Sequence, residues 1–189
     1  MEGAIILAHP NIPKPLHGLA PRGIYGNAWW EKVRKVAYNQ KSNHCWACGV
    51  HKSQAEFHQW LEAHEYYEID YAHGKMEFVQ VVALCHACHN FIHSQRLLSI
   101  LRKGEVSRSK AYRIIDRGLD ICFENGVTPY IGVKDIVEEL GLTWTNYWEP
   151  EPHDIPWGDW RLVLHGEEYE PLYKNKQEWA DHYGVTLED

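Results

Sequence analysis

Two Cys-x2-Cys pairs are the residues whose type and spacing most clearly promise chemistry: Cys45-Trp46-Ala47-Cys48, followed by Gly49, and Cys85-His86-Ala87-Cys88. A pair at this spacing directs both sulfurs at one ion, and the glycine after the first pair allows the tight backbone turn that this requires. Together the pairs offer four thiolates in a tetrahedral set, which selects zinc. Histidines crowd the same stretch, with eight of the chain's thirteen falling between His44 and His93. His89 and His93 stand four apart, so on a helix both imidazoles leave one face and can share a divalent ion if a third ligand joins them. The stretch therefore reads as a structural zinc site with a second, reactive metal site beside it.

The elements that must position these groups follow from the residues between the pairs. Thirty-six residues separate Cys48 from Cys85, longer than in a simple zinc ribbon. Residues 65–71 and 77–84 are rich in aromatic and β-branched side chains, and Ala72-His73-Gly74-Lys75 between them supplies a turn. This pattern predicts a β-hairpin. A helix is expected from about Cys85–His86 to Lys103, stopping at Gly104. Knuckle, hairpin, then a helix carrying the second pair is the order of a treble-clef zinc finger.

The stretch Leu61-Glu62-Ala63-His64-Glu65, with the run from Gln80 through Leu84-Cys85-His86-Ala87-Cys88-His89-Asn90-Phe91-Ile92-His93, resembles the HNH (ββα-metal) endonucleases in their zinc-stapled form. The resemblance spans about residues 28–97. Its specific part is the tail Leu-Cys-x2-Cys-His-x3-His, while the region around His64 matches more loosely. It implies that His64, His89 and His93 hold a divalent ion (Mg2+, Mn2+, Ni2+ or Zn2+) with coordination positions left for a phosphate oxygen and water. The activity implied is hydrolysis of phosphodiester bonds in DNA. By the same match Glu65 takes the place of the general base and Gln80 that of the family's central asparagine. Both are departures. The family's base is usually histidine, and a glutamate carboxylate, whose ordinary pKa is about 4.3, is a weak base unless its surroundings raise it. Shifting the match by one residue makes His64 the base but puts Ala63, which binds no metal, at the ligand position. Gln80 is a longer amide than asparagine, and Asn90 lies nearby at a different motif position. Arg34, Lys35, Arg96, Arg102 and Lys103 flank the site in sequence and are candidates for phosphate contacts. His86 is expected to be a surface histidine, and Glu68 and Asp70 are expected to face solvent.

The chain as a whole fits an α+β protein: a treble-clef, HNH-like ββα-metal core with an N-terminal extended arm and helix and a mostly helical C-terminal region. The organisation expected is an arm and helix over 1–40, the zinc-binding core over 41–104 and an acidic, tryptophan-rich region over 105–189. Residues 4–8 suggest a strand, and the proline- and glycine-rich stretch 9–26 an extended arm. A helix should follow from Ala28 to Gln40, capped by Asn27, with Trp30, Val33, Val36 and Ala37 on one face. Further helices are expected over 105–126 (Ser107 or Ser109 as cap), 133–140 and 174–183. A strand is expected over 160–165, and irregular structure over 143–160.

The net charge of −7 excludes a simple nucleic-acid-coating protein, but it conceals an asymmetry. Residues 1–118 hold fifteen Lys and Arg against ten Asp and Glu, whereas residues 119–189 hold four against sixteen. The metal-binding half is thus the basic half. The acidic half, with Trp144, Trp148, Trp157 and Trp160, motivates a rival function: a catalytically degenerate zinc protein acting through protein–protein interaction, as a phage-type inhibitor or adaptor or a nucleic-acid mimic. A transcription-type zinc module is disfavoured by the net charge. No apolar stretch reaches the roughly 18–20 residues of a membrane span, and the N-terminus has no basic flank of a signal peptide. Cysteines arranged for metal suit a reducing compartment, so a cytoplasmic location is expected. The lone Cys122 falls in an apolar-periodic run and is expected to be a buried, inert thiol.

Overall fold

The computed structural model describes residues 2–187. The fold is α+β, with helices and one four-stranded sheet of order β1-β2-β3-β4. Two compact units share the chain. The first is Met1–Asn11, Arg34–His64 and Val81–Glu149, and the second is Ile12–Val33, Glu65–Gln80 and Pro150–Asp189. The hairpin forms where its residue pattern places it, as β1 (Glu62–Asp70) and β2 (Lys75–Leu84). Asp70 shapes its turn by accepting hydrogen bonds from the backbone of Ala72 (3.0 Å) and His73 (3.1 Å). Glu62–His64 and Val81–Leu84, at the open end of the hairpin, belong to the first unit. Glu68 and Asp70 are exposed, as expected.

The N-terminal region differs from the sequence expectation. Residues 4–8 lie in a 3-10 helix, Glu2–Ala8, and not in a strand. An isolated strand needs a partner for its backbone groups, whereas the 3-10 turn satisfies them locally and closes with His9 N donating to Ile6 O at 3.0 Å. The arm over 9–26 is not extended throughout, because α1 (Pro21–Gln40) begins inside it. Pro21 is tolerated there because the first helical N–H has no intrahelical partner in any case. A break at Gly26 (φ 81°, ψ 175°) separates that opening turn from the helix expected after Asn27. Ala37 is buried as expected, but Val36 is 52% exposed.

In the first unit the helix expected over 85–103 is two helices, α2 (His86–Ile92) and α3 (Ser94–Arg102). The interruption is at His93 (φ −86°, ψ 41°), where no glycine or proline announces it. α4 (Arg108–Glu124) is capped by Ser107, whose hydroxyl accepts from Lys110 N at 3.2 Å, and α5 (Lys134–Leu140) ends at the left-handed Gly141. α2 packs against α4 and against the 3-10 helix Glu2–Ala8. That contact depends on Gly118, because a Cβ there would come within 2.0 Å of the Phe91 ring. Phe91, Ile6, Leu84, Leu97, Ile114 and Ile136 are fully buried in this unit.

In the second unit β3 (Arg161–Leu164) runs parallel to β2, pairing Lys75–Glu77 with Arg161–Val163. β4 (Glu167–Tyr169), which the residue pattern did not announce, returns antiparallel to β3. Its two-residue turn is His165-Gly166, both at positive φ (51° and 87°), the geometry that matches the natural twist of a hairpin. α6 (Lys176–Tyr183) is capped by Asn175, which accepts from Glu178 N at 2.9 Å. Among the described residues no helix is long and apolar enough to cross a membrane.

His17 makes this unit sensitive to pH. Its Nε2–H donates to Ile12 O at 2.9 Å, and its Nδ1 accepts from the Trp179 indole N–H at 3.2 Å. Those roles need the neutral ring, and burial holds the pKa of His17 below its ordinary value. The unfolded chain then binds a proton near pH 6.5 that the folded chain refuses, so stability falls as pH drops below about 6.5. Urea unfolding followed by tryptophan fluorescence should show a lower midpoint at pH 5.5 than at pH 7.5. The decrease should be smaller in His17→Ala, whereas an equal decrease in both proteins would contradict this role.

Candidate metal centres

The four cysteines converge in the first unit, within 4.8 Å of one another at their sulfurs, and could hold a zinc ion. The first pair sits in a turn closed by Cys45 N donating to Val50 O (2.8 Å) and Gly49 N donating to Cys45 O (2.9 Å), with Gly49 at φ 72°. Trp46 N donates to Ala83 O at 2.8 Å, which ties this knuckle to the last residues of β2. The chain leaves β2 directly into Cys85, the N-cap of α2, and Cys88 follows in the first helical turn. Sγ of Cys48 and Sγ of Cys85 are 3.9 Å apart. A disulfide is excluded at that distance, whereas tetrahedral ligands at about 2.3 Å from zinc lie roughly 3.8 Å from each other. Hydrogen bonds from Cys45 and then from Cys85 and Cys88 hold the Cys48 thiol well below the ordinary range. Hydrogen bonds to Cys45 and Cys48 push Cys85 and Cys88 up. Four sulfurs this close share charge unevenly because they cannot all ionise unless a cation joins them. Cys122 is apart from this set and fully buried, and burial pushes its thiol up to about 12.

His64, His89 and His93 form a second convergent group in the same unit. His64 projects from β1, His89 from α2, and His93 from the junction of α2 and α3. Ring centroids are 5.5 Å apart for His64 and His89, 5.1 Å for His64 and His93, and 4.6 Å for His89 and His93. The break at His93 does not separate it from His89, because His93 N still donates to His89 O at 3.1 Å. Nε2 of His64 is buried without a hydrogen-bond partner. Burial first, then the neighbouring His93, His9 and His89, drives His64 well below its ordinary pKa. Burial followed by His89 and Arg96 lowers His93 to about 4. Both rings are therefore neutral near pH 7 and offer lone pairs, the form a metal ion needs.

Glu65 follows His64 on β1 and belongs to the second unit. Its carboxylate accepts a hydrogen bond from the Tyr67 hydroxyl at 3.1 Å, and burial pushes its pKa above the ordinary value. Gln80 is half-buried on β2, also in the second unit's share of the hairpin. Of the five basic residues, Lys35, Arg96 and Lys103 are exposed, and Arg34 lies 5.9 Å from the Tyr38 ring. Arg102 pairs with Glu139 at 3.1 Å.

Five further residues of the first unit belong to this neighbourhood. His9, buried at the end of the 3-10 helix Glu2–Ala8, meets the His64 ring edge-on at 5.6 Å. Trp148 fixes that end by donating its indole N–H to Ala8 O at 3.0 Å. Glu62 sets one carboxylate oxygen close against Nδ1 of His89, without hydrogen-bond alignment. That contact leaves Nε2 of His89 for an ion, the arrangement by which carboxylates fix metal-bound histidines. The other Glu62 oxygen meets His58 Nε2 at 2.9 Å and His86 Nδ1 at 2.7 Å. Burial alone would raise the Glu62 carboxyl, but the close ring nitrogens of His86 and His89 hold it well below the usual carboxylate range. His86 is thus drawn into a cluster and is not a free surface histidine. Glu62 carries a sequence signal, because residues two apart on a strand share a face with each other and Glu62 stands two before His64. His9 and His58 carry none.

A scan against protein-family models, a search of curated proteins and a search of solved structures each found no match for this chain.

Zinc removal should separate the thiols into two classes. A structural zinc ion is coupled to folding, so removing it should loosen the residues it joins. In zinc-replete protein no thiol should react rapidly with a thiol reagent. Chelation should release the four clustered cysteines, while Cys122 should stay slow until denaturant is added. Rapid reaction of all five cysteines before chelation would contradict the clamp.

Proposed function

We propose that this chain is a metal-dependent nuclease of the HNH (ββα-metal) type that hydrolyses phosphodiester bonds in DNA. The observation that carries this reading is the convergence of His64, His89 and His93 beside four clustered cysteines, from a hairpin and the helix that follows it. The order of knuckle, hairpin and helix fits a treble clef. In this reading Cys45, Cys48, Cys85 and Cys88 hold the scaffold zinc, and the three imidazoles hold an exchangeable Mg2+, Mn2+, Ni2+ or Zn2+. That ion, when bound, would stabilise charge on the phosphate and on the leaving 3′ oxygen. Glu62 keeps the His89 ring turned for ligation. Glu65 takes the proton of the attacking water. Its burial supports this role, since raising a carboxyl toward the working pH makes its anion a stronger base. Arg96, whose charge reaches His93, and the exposed Lys35 and Lys103 would meet the DNA backbone, and Gln80 takes the place of the family's asparagine.

One observation favours a second reading, a zinc protein that acts by binding a protein partner through its acidic half. The Tyr67 hydroxyl already holds the Glu65 carboxylate, which competes with a role as base. A plasmid-nicking assay with zinc-replete protein and added Mg2+, Mn2+ or Ni2+ decides between the two. The nuclease reading expects nicking, a loss of roughly 100-fold or more in Glu65→Gln as for a general base, and loss of activity in His93→Ala. Absence of nicking by the wild type, or equal nicking by His93→Ala, overturns it. A stable protein complex abolished by Trp148→Ala but kept by His64→Ala would support the binding reading.

A further inference from the structure

We propose that His58, His86 and Glu62 form a further metal site, taking a zinc-class divalent transition ion, and that the Glu62 carboxylate bridges it to the three-histidine site. The donor set of two imidazoles and one carboxylate is one that zinc uses with a position left for water. The inference takes the three-histidine group only as a geometric neighbour and does not depend on nuclease activity.

Two ring nitrogens and one carboxylate oxygen form a triangle. His58 Nε2 lies 2.9 Å from His86 Nδ1 and 2.9 Å from Glu62 Oε1, and His86 Nδ1 lies 2.7 Å from the same oxygen. With Glu62 ionised, no placement of protons on the two rings makes all three contacts attractive. If both ring nitrogens carry a proton toward the carboxylate, the two N–H groups oppose each other across the nitrogen–nitrogen edge. If only one does, the bare nitrogen sets its lone pair against the carboxylate oxygen. Asn90 presents an amide N–H to His86 Nδ1 at 3.3 Å, which calls for a lone pair on that nitrogen, one that an ion would take over while the amide keeps its 2.9 Å bond to His86 O. A cation among the three atoms gives every lone pair an attractive partner.

The surroundings hold the three side chains in this arrangement. The Trp60 ring stacks on His58 at 3.6 Å between centroids and 1° between planes, although Trp60 is 58% exposed. Phe57, at a positive φ of 76° that a bulky residue rarely adopts, packs edge-on against His86 at 5.6 Å. Lys110 and Arg113 each sit 5.0 Å from the Phe57 ring, and Arg113 pairs with Glu56 at 2.9 Å. Asn90, itself buried, donates to His86 O at 2.9 Å. A strained loop pinned at three places presents His58 to a helix and a strand that carry the other two ligands. On its other side Glu62 contacts His89, so one carboxylate serves both groups.

The test is zinc content after equilibration in buffered zinc, with Co2+ spectra as a second readout. Wild type should hold three zinc per chain, one for each convergent group. His58→Ala and the milder His58→Gln should each hold two while keeping the cobalt–thiolate charge-transfer band of an intact cysteine site, which shows that the variants fold. His93→Ala should also lose one, and His58→Ala combined with His93→Ala should lose both. Unchanged zinc content in both His58 variants overturns the proposal. That result is distinguishable from failure of the three-histidine site, which would instead leave His93→Ala unchanged.

Discussion

Four sulfurs brought within reach of one ion are the constraint on which the rest of the first unit depends. They come from two places far apart in sequence, and each place is tied to an element that carries histidines. The knuckle is bonded to β2 through Trp46 N and Ala83 O, and the second pair is the opening of α2 itself. Joining the sulfurs therefore fixes the end of the hairpin against the start of the helix. His64 on β1 and His89 on α2 are positioned by that junction. Hydrophobic burial completes the arrangement, with Phe91 on α2 set against the missing side chain of Gly118 on α4. The same packing seats the 3-10 helix that delivers His9.

The imidazoles beside the clamp depend on lone pairs. Burial makes the charged form of His64 and His93 costly, so both present bare nitrogens to a shared space. Such nitrogens would be an expense in an ordinary core, where buried polar atoms find partners. Here Nε2 of His64 has none, and Glu62 stands behind His89. Glu62 is the one group in contact with both histidine clusters, which makes it the pivot of the polar network among the described residues.

The legible part of the sequence was the part governed by local geometry. Cys45, Cys48, Cys85 and Cys88 announce themselves because two residues between cysteines suffice to aim both sulfurs at one point. His89 and His93 follow from helical spacing, and the hairpin from its aromatic and β-branched residues and its turn. What was not legible depends on tertiary packing. His9 reaches His64 only because residues 2–8 coil into a 3-10 helix seated on α2, where a strand was expected. His58 sits on an irregular loop whose course is set by Phe57 at positive φ, and no period marks such a position. The break between α2 and α3 falls at a histidine, without the glycine or proline that would signal it. Glu62 lies between these cases, since its place two residues before His64 was available to a period-two reading.

Anomalous diffraction at the zinc edge, from crystals grown with zinc, asks most directly whether a cysteine clamp stands beside a separate histidine metal centre. One peak is expected among the sulfurs of Cys45, Cys48, Cys85 and Cys88 and another among the rings of His64, His89 and His93. A peak at the cysteines with none at the three histidines would contradict that arrangement.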